Sequence, residues 1–222
     1  GTTEAIMSSI LAFCNPGDGV IYFEPTYENY MPTIQFAGGR RIPISIHDDY
    51  SFDEQALRTA AREAKILILN TPHNPTGKVF SRDELELIAE IAQADDLILV
   101  TDEIYEHIVY TNSYLSPVEL DALAERTIVT TGISKTFSVT GWRVGFVMAP
   151  EVLSQQLRKV HDYTSICAPT PFQRASISAL SLPSDYFEGL SNSYRERRDL
   201  MYDGLTDVGL NPVKPDGSYA YE

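Results

Sequence analysis

The chain is poor in the residues that build disulfides, metal sites and basic binding faces. Among its 222 residues there are 2 cysteines and 4 histidines. Cys14 and Cys167 are too few for a disulfide framework and their spacing fits no metal motif. Both read as ordinary thiols of a reducing compartment, which places the protein in the cytoplasm. His47, His73, His107 and His161 show no metal-ligand spacing and read as structural or exposed, with His73 carried near a site by its loop. No metal is expected. Basic residues are scarce as well: 17 Lys and Arg stand against 31 Asp and Glu, a formal net charge of −14. That balance argues against nucleic acid, whose phosphates select basic faces, and against an anionic membrane surface. No apolar stretch approaches membrane-spanning length, and none resembles a signal peptide. Internal repeats and low-complexity tracts are absent.

What the chain does have is alternation. Strand signals fall near 20–23, 41–46, 65–69, 97–101, 126–131 and 143–149, and helix signals near 3–13, 26–36, 53–63, 82–94, 151–162 and 171–181. Val/Ile/Leu-rich strands alternating with helices imply a mainly parallel sheet covered on both faces. A long charged helix follows from Ser184 to Leu210, with Tyr194 to Asp199 at its centre reading as a solvated face of helical charge pairs. Asn211 to Gly217, with two prolines, marks a boundary.

Four segments carry chemistry. The most informative runs from Thr131 to Gly145. Its Lys135, in a loop of small and hydroxylated residues, can form a Schiff base with an aldehyde cofactor while Ser134 and Arg143 hold an anionic group on it. The second, Asn70 to Lys78, leaves the apolar strand Ile66 to Leu69 and precedes a helix that Ser81 and Glu84 open with a capping box. Two X-Pro steps and Gly77 fix this loop, with the Asn74 amide projecting. In the third, Leu97 to Tyr105, a buried strand ends at Asp102. A buried carboxylate costs several kcal/mol unless paired. A protonated pyridine nitrogen is one partner; capping of a following helix is the other reading. The fourth, Gly1 to Ile6, leads small and hydroxylated residues into a helix, the arrangement that seats phosphate on free N–H groups and also that of any Thr-capped helix. The proposed ligands lie just past strand ends, where open α/β sheets bind cofactors.

In this order the segments resemble the fold-type I pyridoxal-phosphate enzymes, specifically the class I/II aminotransferases of the aspartate, kynurenine, glutamine and methionine branch. The motif S-K-x-x-x-x-x-G-x-R-x-G is matched by Ser134, Lys135, Gly141, Arg143 and Gly145, and the resemblance runs along the whole chain. It implies a three-layer α/β/α large domain over 1–183, and at 184–222 an interdomain helix with the opening strand of a small α+β domain. It implies pyridoxal 5′-phosphate as cofactor, amino acid and 2-oxo acid substrates, and a homodimer with its site at the subunit interface. By matched position Lys135 is the Schiff-base lysine and proton shuttle, and Asp102 pairs with the pyridine nitrogen. Tyr105 and Asn74 bond the phenolic oxygen, and Asn74 also reaches the substrate carboxylate. Gly1, Thr2 and Thr3 form the phosphate turn, and Arg143 forks onto the phosphate. Tyr27 stacks on the ring, or is an ordinary half-buried tyrosine.

The sequence departs from the family in two ways. Many members carry a serine three residues before the lysine, where this chain has Gly132. The family pattern also extends before Gly1 and beyond Glu222, so the arginine that grips the substrate carboxylate has no match and the 222 residues alone are expected to lack turnover. The same lysine scaffold serves C–S β-lyases and synthases, and occurs as a non-catalytic ligand sensor. Those readings stand beside transamination.

Overall fold

The computed structural model describes residues 1–111 and 114–219. Six strands form one sheet: β1 (Gly19–Glu24), β2 (Arg40–Ser45), β3 (Ala64–Asn70), β4 (Ile98–Asp102), β5 (Thr127–Gly132) and β6 (Gly145–Met148). Their order is β2-β1-β3-β4-β5-β6. All neighbours run parallel except β5 and β6, which are antiparallel. The helices are α1 (Thr2–Phe13), α2 (Tyr30–Phe36), α3 (Glu54–Ala61), α4 (Arg82–Ala94), α5 (Asp121–Ala124), α6 (Glu151–Thr164), α7 (Thr170–Leu180) and α8 (Ser184–Asp207). The fold is the expected three-layer α/β/α arrangement on a mainly parallel mixed sheet.

Strand alternation divides the core between two faces. Ile21, Phe23, Leu67, Leu69 and Leu99 pack with Leu57 of α3, Leu85 and Ile88 of α4, and Leu123 of α5. Val20, Tyr22, Ile66, Ile68, Val100 and Ile128 point the other way, onto Ile6 and Ile10 of α1, Ile34 of α2 and Leu157 of α6. Each such side chain, buried from water, contributes about 1.5–3 kcal/mol. Both faces are therefore apolar, which is why the central strands read as unbroken hydrophobic runs.

The ends of α4 follow from sequence. Ser81 accepts the Glu84 N–H, and the Glu84 side chain accepts the Ser81 N–H, so the capping box forms. Three short elements lay below the reach of periodicity: a 3-10 turn at Pro117–Glu119, α5, and a 3-10 turn at Thr140–Trp142. Helix α2 begins only at Tyr30, because Pro25 to Asn29 form the approach to it. Helix α8 ends at Asp207 and buries no residue fully, but its charged centre is not simply solvated. The side chain of Arg198 is 11% exposed, bonds Asp199 at 2.9 Å and donates from Nη1 to Pro215 O at 3.1 Å. Gly217 forms an isolated bridge to Val109. The opening strand expected over 217–222 falls partly at 220–222, outside the described residues.

Candidate active site

The carboxyl ends of the central strands lie side by side. Asn70 at the end of β3 is in register with Asp102 at the end of β4, and Asp102 with Thr130 in β5. Most of the expected site residues gather at one cavity beside this edge.

Asp102 is 4% exposed. The Tyr30 hydroxyl donates to its Oδ2 at 2.8 Å, and the Ile104 N–H approaches Oδ1 at 3.3 Å. Burial pushes the carboxyl up to about 6, against these two donors and the Lys135 charge, which favour the ionised form. The helix-cap reading fails here. Residues 104–107 form a turn and no helix follows, so the carboxylate has no helix to cap.

Lys135 sits in the turn after β5. Its Nζ lies 5.8 Å from the ring centre of Tyr105 and 5.4 Å from that of Tyr219. Tyr105 is buried, and burial foremost, then the neighbouring phenol of Tyr219, holds its hydroxyl neutral. Ser138 and Arg143 both adopt the left-handed region, with φ of 55° and 54°. Such conformations in non-glycine residues cost energy and cluster at functional sites. Here they turn the chain so that Arg143 comes back beside the lysine loop.

The loop after β3 is held by Asn70. Its Nδ2 donates to Asp102 O at 2.7 Å and Pro72 O at 3.1 Å, while Oδ1 accepts the Asn74 N–H at 2.6 Å. One amide thus ties the Asn74 loop to the strand that carries Asp102. Gly77 closes the loop at φ +76°, where a β-carbon would also sit 2.3 Å from Pro215 Cβ. His73 bonds Thr76 Oγ1 at 2.9 Å and lies outside the cavity lining. Burial drives it down to about 3, so it is neutral.

At the other end of the cavity, a helix start, two threonines and a guanidinium come together. Thr2 and Thr3 open α1 at the positive end of its dipole, while the Glu4 and Ala5 N–H groups already donate to Gly1 O. Thr2 Oγ1 is buried and finds no hydrogen-bond partner among the described residues. Arg143 Nη1 donates to Thr140 O at 3.0 Å, and Nη2 stands 3.5 Å from Thr3 Oγ1. Glycines make the close approach feasible. A β-carbon on Gly1 would lie 2.9 Å from Arg143 Nη2, and one on Gly145 would lie 2.8 Å from the Thr2 nitrogen. Gly132 is paired with Gly145 across β5 and β6, and a β-carbon there would lie 2.8 Å from Val144 O. This accounts for the departure at Gly132: a serine β-carbon would collide with Val144 O and lie 3.0 Å from Gly145 Cα at the start of β6.

One cavity of about 120 Å³ collects these groups, lined by Thr2, Thr3, Tyr27, Asn74, Asp102, Tyr105, Ser134, Lys135 and Arg143, together with Ile6, Asn70, Ile104 and Thr140. Of the expected residues only Gly1 lies outside, packed against the Arg143 guanidinium and lining a wider adjoining groove. Tyr27 is half-buried and meets Tyr30 edge-on at 5.6 Å. Sequence reasoning missed Tyr30, the tethering role of Asn70, and Tyr219.

The family model for aminotransferase class I and II matches residues 1–221. N-succinyldiaminopimelate aminotransferase from Mycobacterium tuberculosis is similar in structure, with a TM-score of 0.95 at 38% identity, covering 99% of this chain and 58% of that one. The aspartate aminotransferase of Pyrococcus abyssi is 35% identical over 99% of this chain and 58% of its own length. Kynurenine–oxoglutarate transaminase 1 of Homo sapiens is 36% identical over 99% of this chain and 57% of its own. The chain therefore spans somewhat over half the length of these relatives.

Proposed function

Because the chain belongs to the class I and II aminotransferases, we propose that it forms the pyridoxal 5′-phosphate site of an enzyme moving an amino group from an L-amino acid to a 2-oxo acid. The observation that carries this reading is one cavity holding the Lys135 amine, the buried Asp102 carboxylate and the Arg143 guanidinium at the start of α1. The residues fit the cofactor. A phosphate would satisfy the orphaned Thr2 Oγ1, and a ring cation would offset the burial of Asp102.

When bound, pyridoxal phosphate supplies an electron-withdrawing ring that takes up the electron pair left when the amino acid Cα–H bond ionises. This chain's residues would hold it and act as follows. Lys135 would anchor the aldehyde carbon, and its amine, as general base, would move the proton at the substrate Cα. Asp102, oriented by Tyr30 and Ile104, would favour a protonated ring nitrogen. Tyr105 and Asn74 would donate to the phenolic oxygen, with Asn74 also serving the substrate carboxylate. Arg143, Thr2, Thr3 and Ser134 would hold the phosphate beside Gly1, and Tyr27 would cover the ring.

We assign 1–183 to the cofactor-binding domain, and 184–222 to an interdomain helix and the start of a small domain. The exposure of α8 supports that division. A homodimer is part of the proposal: α1, β6, α6 and α7 leave a groove of about 830 Å³ that includes Ile166, Ile177 and Leu180, all exposed. A cytoplasmic setting and a place in amino-acid metabolism are part of the proposal, the latter supported by the family match. No described helix is long and apolar enough to cross a membrane.

The test is to supply a panel of L-amino acids with 2-oxoglutarate and measure glutamate. Glutamate formed in step with the donor's 2-oxo acid is the expected result. Pyruvate and ammonia from cysteine-type substrates, without glutamate, would replace transamination by β-elimination.

A further inference from the structure

Tyr219 lies far along the chain from the lysine loop, yet its ring comes closer to the Lys135 amine than that of Tyr105, at 5.4 Å against 5.8 Å. It meets Tyr105 edge-to-face at 5.1 Å and 87°, and stacks on Tyr194 of α8 at 5.7 Å and 20°. The segment that delivers it is firmly docked. The Asp216 and Gly217 N–H groups both donate to Gly77 O, at 3.0 and 2.8 Å, and the Ser218 N–H donates to Ile108 O at 2.9 Å. The Tyr110 hydroxyl donates to Ser218 O. A β-carbon on Gly217 would lie 2.8 Å from Pro72 Cβ, so no larger residue lets the strand-end loop and this segment meet. Tyr219 itself is 43% exposed.

We propose that Tyr219 is a positioning residue for Lys135, its ring face covering the amine and, with Tyr105, holding it at the cavity. The inference rests on the proposed cofactor role of Lys135. An ammonium within about 6 Å of an aromatic face is attracted by the ring's negative π surface, and Tyr105 and Tyr219 together give Lys135 two such faces. The other titratable groups lining its cavity are Asp102 from β4, Tyr27 ahead of α2 and Arg143 after the 3-10 turn. Through Tyr194 the same ring ties the amine to α8, so a shift of that helix reaches Lys135 without touching the sheet.

The experiment acetylates the cofactor-free protein with N-acetoxysuccinimide and follows each lysine by peptide mass spectrometry. Exposed Lys159 serves as internal reference. Tyr219→Ala is expected to speed modification of Lys135 roughly two- to fivefold, the size of one lost cation–aromatic contact, while Tyr219→Phe keeps the ring and stays within about twofold of the parent. An unchanged Lys135 rate in the alanine variant, a rise shared by Lys159, or a phenylalanine variant behaving like alanine overturns the inference. Protection of Lys135 by pyridoxal phosphate in the parent is read in parallel. Its absence counts against the proposed function and the inference with it, whereas protection with an unchanged alanine rate overturns the inference alone.

Discussion

Tyr30 and Asp102 stand 72 residues apart in sequence and meet at 2.8 Å, hydroxyl to carboxylate, with both side chains buried. The phenol is the stronger of two donors that hold this carboxyl in its ionised form against burial. Its own ionisation is suppressed by that burial, so it acts only as a donor.

Tyr30→Phe removes the donor and leaves Oδ2 without it. That bond favours the ionised carboxylate, so its loss should push the Asp102 carboxyl further up and weaken pyridoxal phosphate binding near neutral pH. Equilibrium titration of the cofactor checks this, and an unchanged dissociation constant would remove Tyr30 from the account.

Asp102 titrates near about 6 in the folded chain against 3.8 for an ordinary aspartate. Between those values the folded chain holds the proton more tightly than the unfolded one. Stability of the cofactor-free protein therefore falls as pH rises across that window, and above it the penalty is complete, at roughly 3 kcal/mol. Asp102→Asn removes the penalty. The variant should melt several degrees above the parent at about pH 8, with the gap closing toward about pH 4, while cofactor binding weakens. Thermal melts at the two pH values decide it; equal melting temperatures at the higher pH would contradict a strained carboxylate.

Arg143→Lys keeps the charge and loses the planar fork. Affinity for pyridoxal phosphate should drop about ten- to a hundredfold, while affinity for unphosphorylated pyridoxal stays put, because the guanidinium addresses only the phosphate. Parallel titrations with the two compounds measure the contrast. An equal loss for both would show that Arg143 shapes the loop and does not hold the anion.

The frame of the molecule was legible because its causes are local. β1, β3 and β4 are buried on both faces and so carry unbroken apolar runs, Val20 to Phe23, Ile66 to Leu69 and Ile98 to Val100, and α4 carries its start signal in Ser81 and Glu84. The candidate site residues were named through the resemblance, which supplied their expected roles, and through their position just past strand ends; the structure brings all but Gly1 to one cavity. Tyr30, Asn70 and Tyr219 were not. Their importance is made by tertiary approach: a phenol reaching across to another strand's carboxylate, an amide bridging two strand ends, and a ring arriving from the far end of the chain. The glycine at 132 was visible as a departure, but only the spacing of β5 and β6 shows why a side chain is excluded there.

The central claim is that one amine, that of Lys135, joins covalently to the cofactor. The direct measurement is to mix the protein with pyridoxal phosphate, reduce with borohydride, and map the modified peptide by mass spectrometry. The account predicts a single dominant adduct on the peptide containing Lys135, lost in Lys135→Ala. An adduct spread over surface lysines, or one that persists in the Lys135→Ala protein, would contradict it.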